Sequence, residues 1–143
     1  MKLKTIIDPS RDEEILIYAH RRSSLIDEIE RLVSDNILEL IGYKDKTATP
    51  LNIGEISCFT VENNKVYAIT NQDRYEIKAR LYQIEEKLPE HFIKINQSCI
   101  ANIRQIKKFD TTFTGTLQVV FKNDYKEYVS RRNIKKVKER LGL

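Results

Sequence analysis

Two short stretches hold most of the hydrogen-bonding chemistry of this chain. The first, HFIKINQSCIAN (91–102), alternates apolar and polar residues as a strand does. Its polar positions are Lys94, Asn96, Gln97, Ser98 and Asn102 instead of the usual surface charges. The second, VSRRNIKKVK (129–138), sets Ser130, Arg131, Arg132, Asn133, Lys135 and Lys136 at the start of a helical pattern. Hydroxyl, amide and cationic side chains of these kinds hold phosphate oxygens. Gln, Asn and Arg can also pair with adenine or guanine edges. An arginine pair opening a helix adds its charge to that of the free backbone amides there. Either stretch alone fits a solvated surface; two in one basic segment point to nucleic acid.

The charge balance agrees. Residues 91–143 carry 12 Lys and Arg against 4 Asp and Glu, whereas residues 1–90 carry 13 against 17. A basic final third attracts polyanions, meaning nucleic acid or an anionic membrane surface. Other chemistry lacks its residues. With 4 glycines the chain has no phosphate-cradling loop, and no serine-hydrolase, HExxH or paired-Cys signature occurs. The adjacent pairs Glu13-Glu14 and Glu85-Glu86 splay apart in any regular element, and His91 is read as a solvated or capping histidine. No enzyme activity, cofactor, metal or small-molecule substrate is expected. Cys58 and Cys99, far apart in apolar runs, read as reduced buried thiols. No apolar run approaches the ~18 residues that span a bilayer, and the N-terminus lacks a signal peptide's apolar region, so a cytoplasmic protein is expected.

The 143 residues, 41% of them apolar, suit one domain with an extension. LKTIID and EEILIYAH, around Asp8-Pro9-Ser10, read as two strands with a turn between them. SSLIDEIERLVSD follows as an amphipathic helix, capped by Ser23 or Ser24, with Leu25, Ile26, Ile29, Leu32 and Val33 at helical spacing. From Ile37 the pattern becomes short strands: ILELIGY, a KDKTATP loop, ISCFTVE, a tight turn at Asn63-Asn64, KVYAIT and RYEIK. A short helix places Leu81, Ile84 and Leu88 on one side and ends at Pro89. FIKI, SCIANI, QIKKF, LQVVF and YKEYV make a second strand group with turns at TFTG and KND. A last helix, N-capped by Ser130, turns Ile134, Val137 and Leu141 inward. Turns every ~8–12 residues argue for packed antiparallel sheets.

These residues carry a resemblance. EISCFTVENNKVYAIT, RLYQIEEKLPEHFIKINQSCIANIRQIKKF and YVSRRNIKKVKERL together resemble the LytTR DNA-binding domain of bacterial transcription regulators. The shared features are a strand–turn–strand opening, a helix ending in Leu-Pro, a block running from Phe92 through Lys94 and Ser98 to Asn102, and a late Val129-Ser130-Arg131 ahead of a terminal helix. The resemblance covers about residues 39–143 and implies a mainly β (α+β) fold of stacked short antiparallel sheets with short helices. It implies a regulator that binds double-stranded DNA, loops at one end entering successive major grooves. Base contacts would fall to Lys65 with Asn64, to Gln97 with Asn96, and to Arg132. Phosphate contacts would fall to Lys94, Ser98, Asn102, Ser130, Arg131, Asn133, Lys135 and Lys136. Where members often carry a basic or histidine pair before the serine, this chain has Asn96-Gln97, and Gln97, the favoured groove residue, suits adenine.

Residues 1–38 are too short for the receiver domain that many members carry. They are expected to be a strand–strand–helix extension that makes a homodimer or binds a regulatory partner protein, which in some stand-alone relatives is a small membrane protein. The competing readings are an RNA-binding module using the same basic face, and a pure protein-interaction module. Tyr125 and Tyr128, the outward aromatics, are not interleaved with the polar stretches as an RNA-stacking platform would require.

Overall fold

Turn chemistry sets the order of elements. The computed structural model describes residues 1–37, 40–111 and 115–142. Helix α1 (Ser24–Ile37) is followed by strands β1 (Leu40–Lys44), β2 (Thr47–Leu51), β3 (Ile56–Glu62), β4 (Lys65–Thr70) and β5 (Arg74–Ile77). Helix α2 (Leu81–Lys87) leads to β6 (Phe92–Asn96), β7 (Cys99–Asn102), β8 (Ile106–Thr111), β9 (Leu117–Phe121), β10 (Lys126–Val129) and helix α3 (Arg131–Leu141). One sheet has the strand order β2-β1-β5-β4-β3-β7-β6 and the other β10-β9-β8. The described pairings are antiparallel, as the spacing of turn residues required.

The alternation along each strand divides the core between two sides of the large sheet. Phe59, Ala68, Ile77 and Ile100 pack with Leu81 and Ile84 of α2 on one side. Cys58, Ile93, Ile95, Cys99 and Ala101 pack on the other, against Val119, Phe121 and Val129 of the small sheet and Val137 of α3. A bulge between Ile56 and Cys58 lets Ile56 and Phe59, three residues apart, share the first side. Both cysteines are free and fully buried.

Several expectations fall where the sequence put them. Asn63 and Asn64 both adopt positive φ, 51° and 62°, closing the two-residue hairpin between β3 and β4. Ile134, Val137 and Leu141 of α3 turn toward the core. The start of ILELIGY, the boundary expected between residues 38 and 39, and most of the TFTG turn lie outside the described residues.

Two expectations are corrected. The KDKTATP stretch is not a loop: Asp45 and Lys46, at φ 49° and 67°, make a tight turn, and β2 pairs with β1 from Lys44↔Thr47 to Leu40↔Leu51. Pro50, which argues against a strand in the middle of a sheet, is tolerated because β2 is an edge. The two N-terminal strands do not form; residues 1–23 contain a turn but neither helix nor strand. The turn itself is made, with Asp8 Oδ1 accepting from Ser10 N at 3.0 Å and from Ser10 Oγ at 2.6 Å. A two-stranded ribbon with no sheet to rest on is marginal in water, and Leu3, Ile6 and Ile7 stay exposed.

Candidate nucleic-acid interface

The sheet register brings the two polar stretches to one end of the molecule. Strands β6 and β7 are joined by Gln97 and Ser98, with Asn96 opposite Cys99. The β3–β4 turn lies at the same end, because β7 pairs antiparallel with β3 and the Val61 amide donates to the Ser98 carbonyl at 2.8 Å. The start of α3 is tied to this end by the Ser130 amide, which donates to the Ile95 carbonyl at 2.9 Å. Lys94, Gln97, Ser98, Tyr128, Ser130, Arg132 and Asn133 then line one cleft of ≈ 350 Å³.

What each side chain offers depends on its existing bonds. Asn96 is 1% exposed, its amide donating to the Tyr128 carbonyl at 2.9 Å and its oxygen accepting from the Ser98 amide at 2.8 Å. Asn102, also 1% exposed, sits at the far end of β7 from Gln97; it holds the Ile56 carbonyl at 2.9 Å and caps the next turn through the Arg104 amide. Asn133 spends its amide on the Ile95 carbonyl at 3.3 Å and on Ser130 Oγ at 2.7 Å. The donors of these three asparagines hold backbone carbonyls and a hydroxyl of the protein itself. Asn96 and Asn102 are buried with those partners, whereas Asn133 is half-buried and lines the cleft.

The remaining groups are open. Gln97 and Ser98 are exposed on the turn, so of the Asn96-Gln97 pair it is Gln97 that faces outward. Ser130 holds the N-cap position of α3, as the sequence reading has it, but its side chain makes no capping bond; its Oγ accepts from Asn133, which leaves the hydroxyl proton free to donate. Among the described residues, Lys94, Arg131, Arg132, Lys135 and Lys136 make no ion pair, whereas the cations of β8 are paired, Lys107 with Asp124 and Lys108 with Asp110. Lys65 is exposed beside Asn64 but lies 3.7 Å from Glu76 Oε1. An exposed pair of that length contributes little and opens readily.

Sequence reasoning missed Tyr128 and Glu127. Tyr128, 52% exposed, lines the cleft and so stands among the polar residues it was thought to avoid. Glu127 accepts from Tyr125 at 3.0 Å, from Thr60 at 3.4 Å and from Asn96 at 3.5 Å, joining β3, β6 and β10 beneath the cleft. Its place one residue before Tyr128 in an alternating strand was the available signal.

An antiparallel β protein that gathers unpaired cations, hydroxyls and an amide at one end is a module for binding a polyanion. The profile of the LytTr DNA-binding domain matches residues 46–142, and the chain belongs to that family. It is similar to a solved LytTr DNA-binding domain of a putative methyl-accepting/DNA response regulator from Bacillus cereus, with a TM-score of 0.69 and 20% identity over 73% of this chain and 97% of that one. Uncharacterized HTH-type transcriptional regulators of Staphylococcus aureus strains COL and MW2 are 34% identical over 146 residues, spanning 100% of this chain and 99% of theirs. In this chain the three helices of the described residues are separated by strands, so no two of them form a helix–turn–helix.

Proposed function

We propose that this protein is a cytoplasmic transcription regulator that reads duplex DNA through turns and a helix start instead of a recognition helix. The observation that carries the reading is the cleft in which the β6–β7 turn and the start of α3 converge with their cations unpaired. In this reading Gln97 and Arg132, and Lys65 with Asn64 on the neighbouring turn, meet base edges. Lys94, Ser98, Ser130, Arg131, Lys135 and Lys136 hold phosphates. Asn96, Asn102 and Asn133 position them. Residues 39–143 form the DNA-binding domain and residues 1–38 an extension that makes a homodimer suited to paired half-sites. No helix of the described residues is long and apolar enough to cross a membrane.

Selection of bound sequences from random DNA duplexes, with purified protein at moderate salt, tests this. The expected result is a short motif, repeated about one helical turn apart, with affinity that falls steeply as salt rises. Equal binding of all duplexes would overturn the base contacts. Preference for single-stranded RNA, or no nucleic-acid binding at all, would move the assignment to the RNA or protein-interaction reading.

A further inference from the structure

The N-terminal segment is a strand sequence without a strand partner. Ile15, Leu16, Ile17 and Tyr18 are consecutive and 63%, 62%, 37% and 90% exposed. Runs of this kind on a soluble protein mark either an error or an interface. The flanks of the run are opposite in sign: Asp12, Glu13 and Glu14 precede it, and Arg21 and Arg22, after His20, follow it. Set antiparallel to a second copy of itself about Ile17, the segment places Glu14 opposite His20 and Glu13 opposite Arg21, and Asp12 opposite Arg22, whose guanidinium also bonds Asp27 and Glu30 of its own chain. Leu16 then meets Tyr18, and Ile15 meets Ala19. A segment that reads acid–apolar–base in this way is complementary to its own two-fold copy.

Closure within one chain does not achieve this. The Arg11 amide donates to the Asp8 carbonyl at 3.3 Å, which fixes the turn. A hairpin continued from that turn would set Ile7 against Asp12 and Thr5 against Glu14, mixing apolar and acidic residues on each face. The sheet edges away from the cleft are guarded, β2 by Pro50 and β8 by Lys107 and Lys108. A two-stranded ribbon also needs cover. Leu25 and Leu32, seven residues apart and so on one side of α1, are both exposed immediately downstream.

We infer that Asp12–Arg22 is the dimerisation strand, pairing antiparallel with the same segment of a second copy of this chain. The inference rests on the homodimer half of the proposed function, and supplies the two-fold axis that paired half-sites require. Sedimentation velocity of the full chain tests it, with circular dichroism to confirm that the sheets persist. The wild-type protein is expected at twice the 16.9 kDa chain mass. The paired substitutions Glu13→Arg with Glu14→Arg, and separately His20→Glu with Arg21→Glu, place like charges across both ends and should give monomers. Mixing the two variants restores opposite charges across both ends and should give a heterodimer. A monomeric wild-type chain, dimeric variants, or a mixture that stays monomeric would each overturn the inference. Binding to a single half-site separates the two failures: a monomer that still binds it loses the dimer strand and keeps the DNA reading, whereas a dimer that binds no DNA loses the DNA reading alone.

Discussion

The Asn96 side-chain amide donates to the main-chain carbonyl of Tyr128 at 2.9 Å, across 32 residues of sequence. This bond fastens the turn that presents Gln97 and Ser98 to the strand that runs into Ser130 and α3. The same side chain accepts from the Ser98 amide at 2.8 Å, so one buried group sets both the shape of the turn and its distance from the helix start. Asn96→Ala strands a carbonyl and an amide and is expected to cost about 1–3 kcal/mol of stability. At a temperature where both proteins are folded it should also weaken DNA binding, because the two halves of the cleft lose their common anchor. Thermal melts and a binding titration check both. Full affinity with lowered stability would show that the turn holds its shape without the bond.

Gln97 and Arg132 occupy the two sides of one cleft, one on a turn and one on a helix start. If both meet base edges, Gln97→Ala and Arg132→Ala each cost about 1–3 kcal/mol on the preferred site and relax preference at one position. Lys135→Ala, further along α3, should weaken binding to all duplexes about equally and lower the salt slope by about one. Competition titrations against preferred and scrambled duplexes separate the two classes. A reversal, with Lys135 selective and Gln97 uniform, would sink this division of roles.

Gly42 carries a constraint of space. A Cβ there would lie 2.6 Å from Tyr75 Cβ and 2.7 Å from Leu51 Cδ1, both part of the packed end of the large sheet. The Leu51 methyl can turn aside, but Tyr75 Cβ cannot retreat without moving β5. Gly42→Ala should therefore destabilise the domain by about 1–3 kcal/mol despite the better strand propensity of alanine. Urea denaturation with an unchanged m-value would confirm it, and a neutral result would mean that the edge hairpin yields freely.

Local chemistry made much of the fold legible. Asn63-Asn64 closed a hairpin because asparagine accepts positive φ, and the spacing of Ile134, Val137 and Leu141 gave α3 its inward face. Direction was harder to read than capacity. Asn96, Asn102 and Asn133 advertise hydrogen bonding, but the carbonyls they hold belong to Tyr128, Ile56 and Ile95, 32, 46 and 38 residues away. A local clue existed. Asn52, Asn96, Asn102 and Asn123 each accept from the backbone amide two residues on, the Asx turn that asparagine forms at the end of a strand. The N-terminal strands failed for a different reason: an apolar run alone does not make a strand, and residues 1–23 pair with no strand of the sheets.

Alkaline pH should loosen the contact between the sheets. Burial, the charge of Glu127 and the nearby Cys58 push the Tyr125 phenol above its ordinary value of 10.0. The Cys99 thiol is pushed well above 9.0 by its hydrogen bond with Cys58 and by burial. In both cases the fold favours the protonated form. The stabilisation is then fully present below the ordinary values and is lost as pH rises toward the folded ones. Melting temperatures should hold from pH 7 to about 9 and decline beyond it. Tyr125→Phe removes one of the two ionisations, so its decline above pH 10 should be shallower than that of the wild type, measured from its own neutral-pH value. A melting temperature that rises through this interval would contradict the protonated pairing of Tyr125 with Glu127 at 3.0 Å.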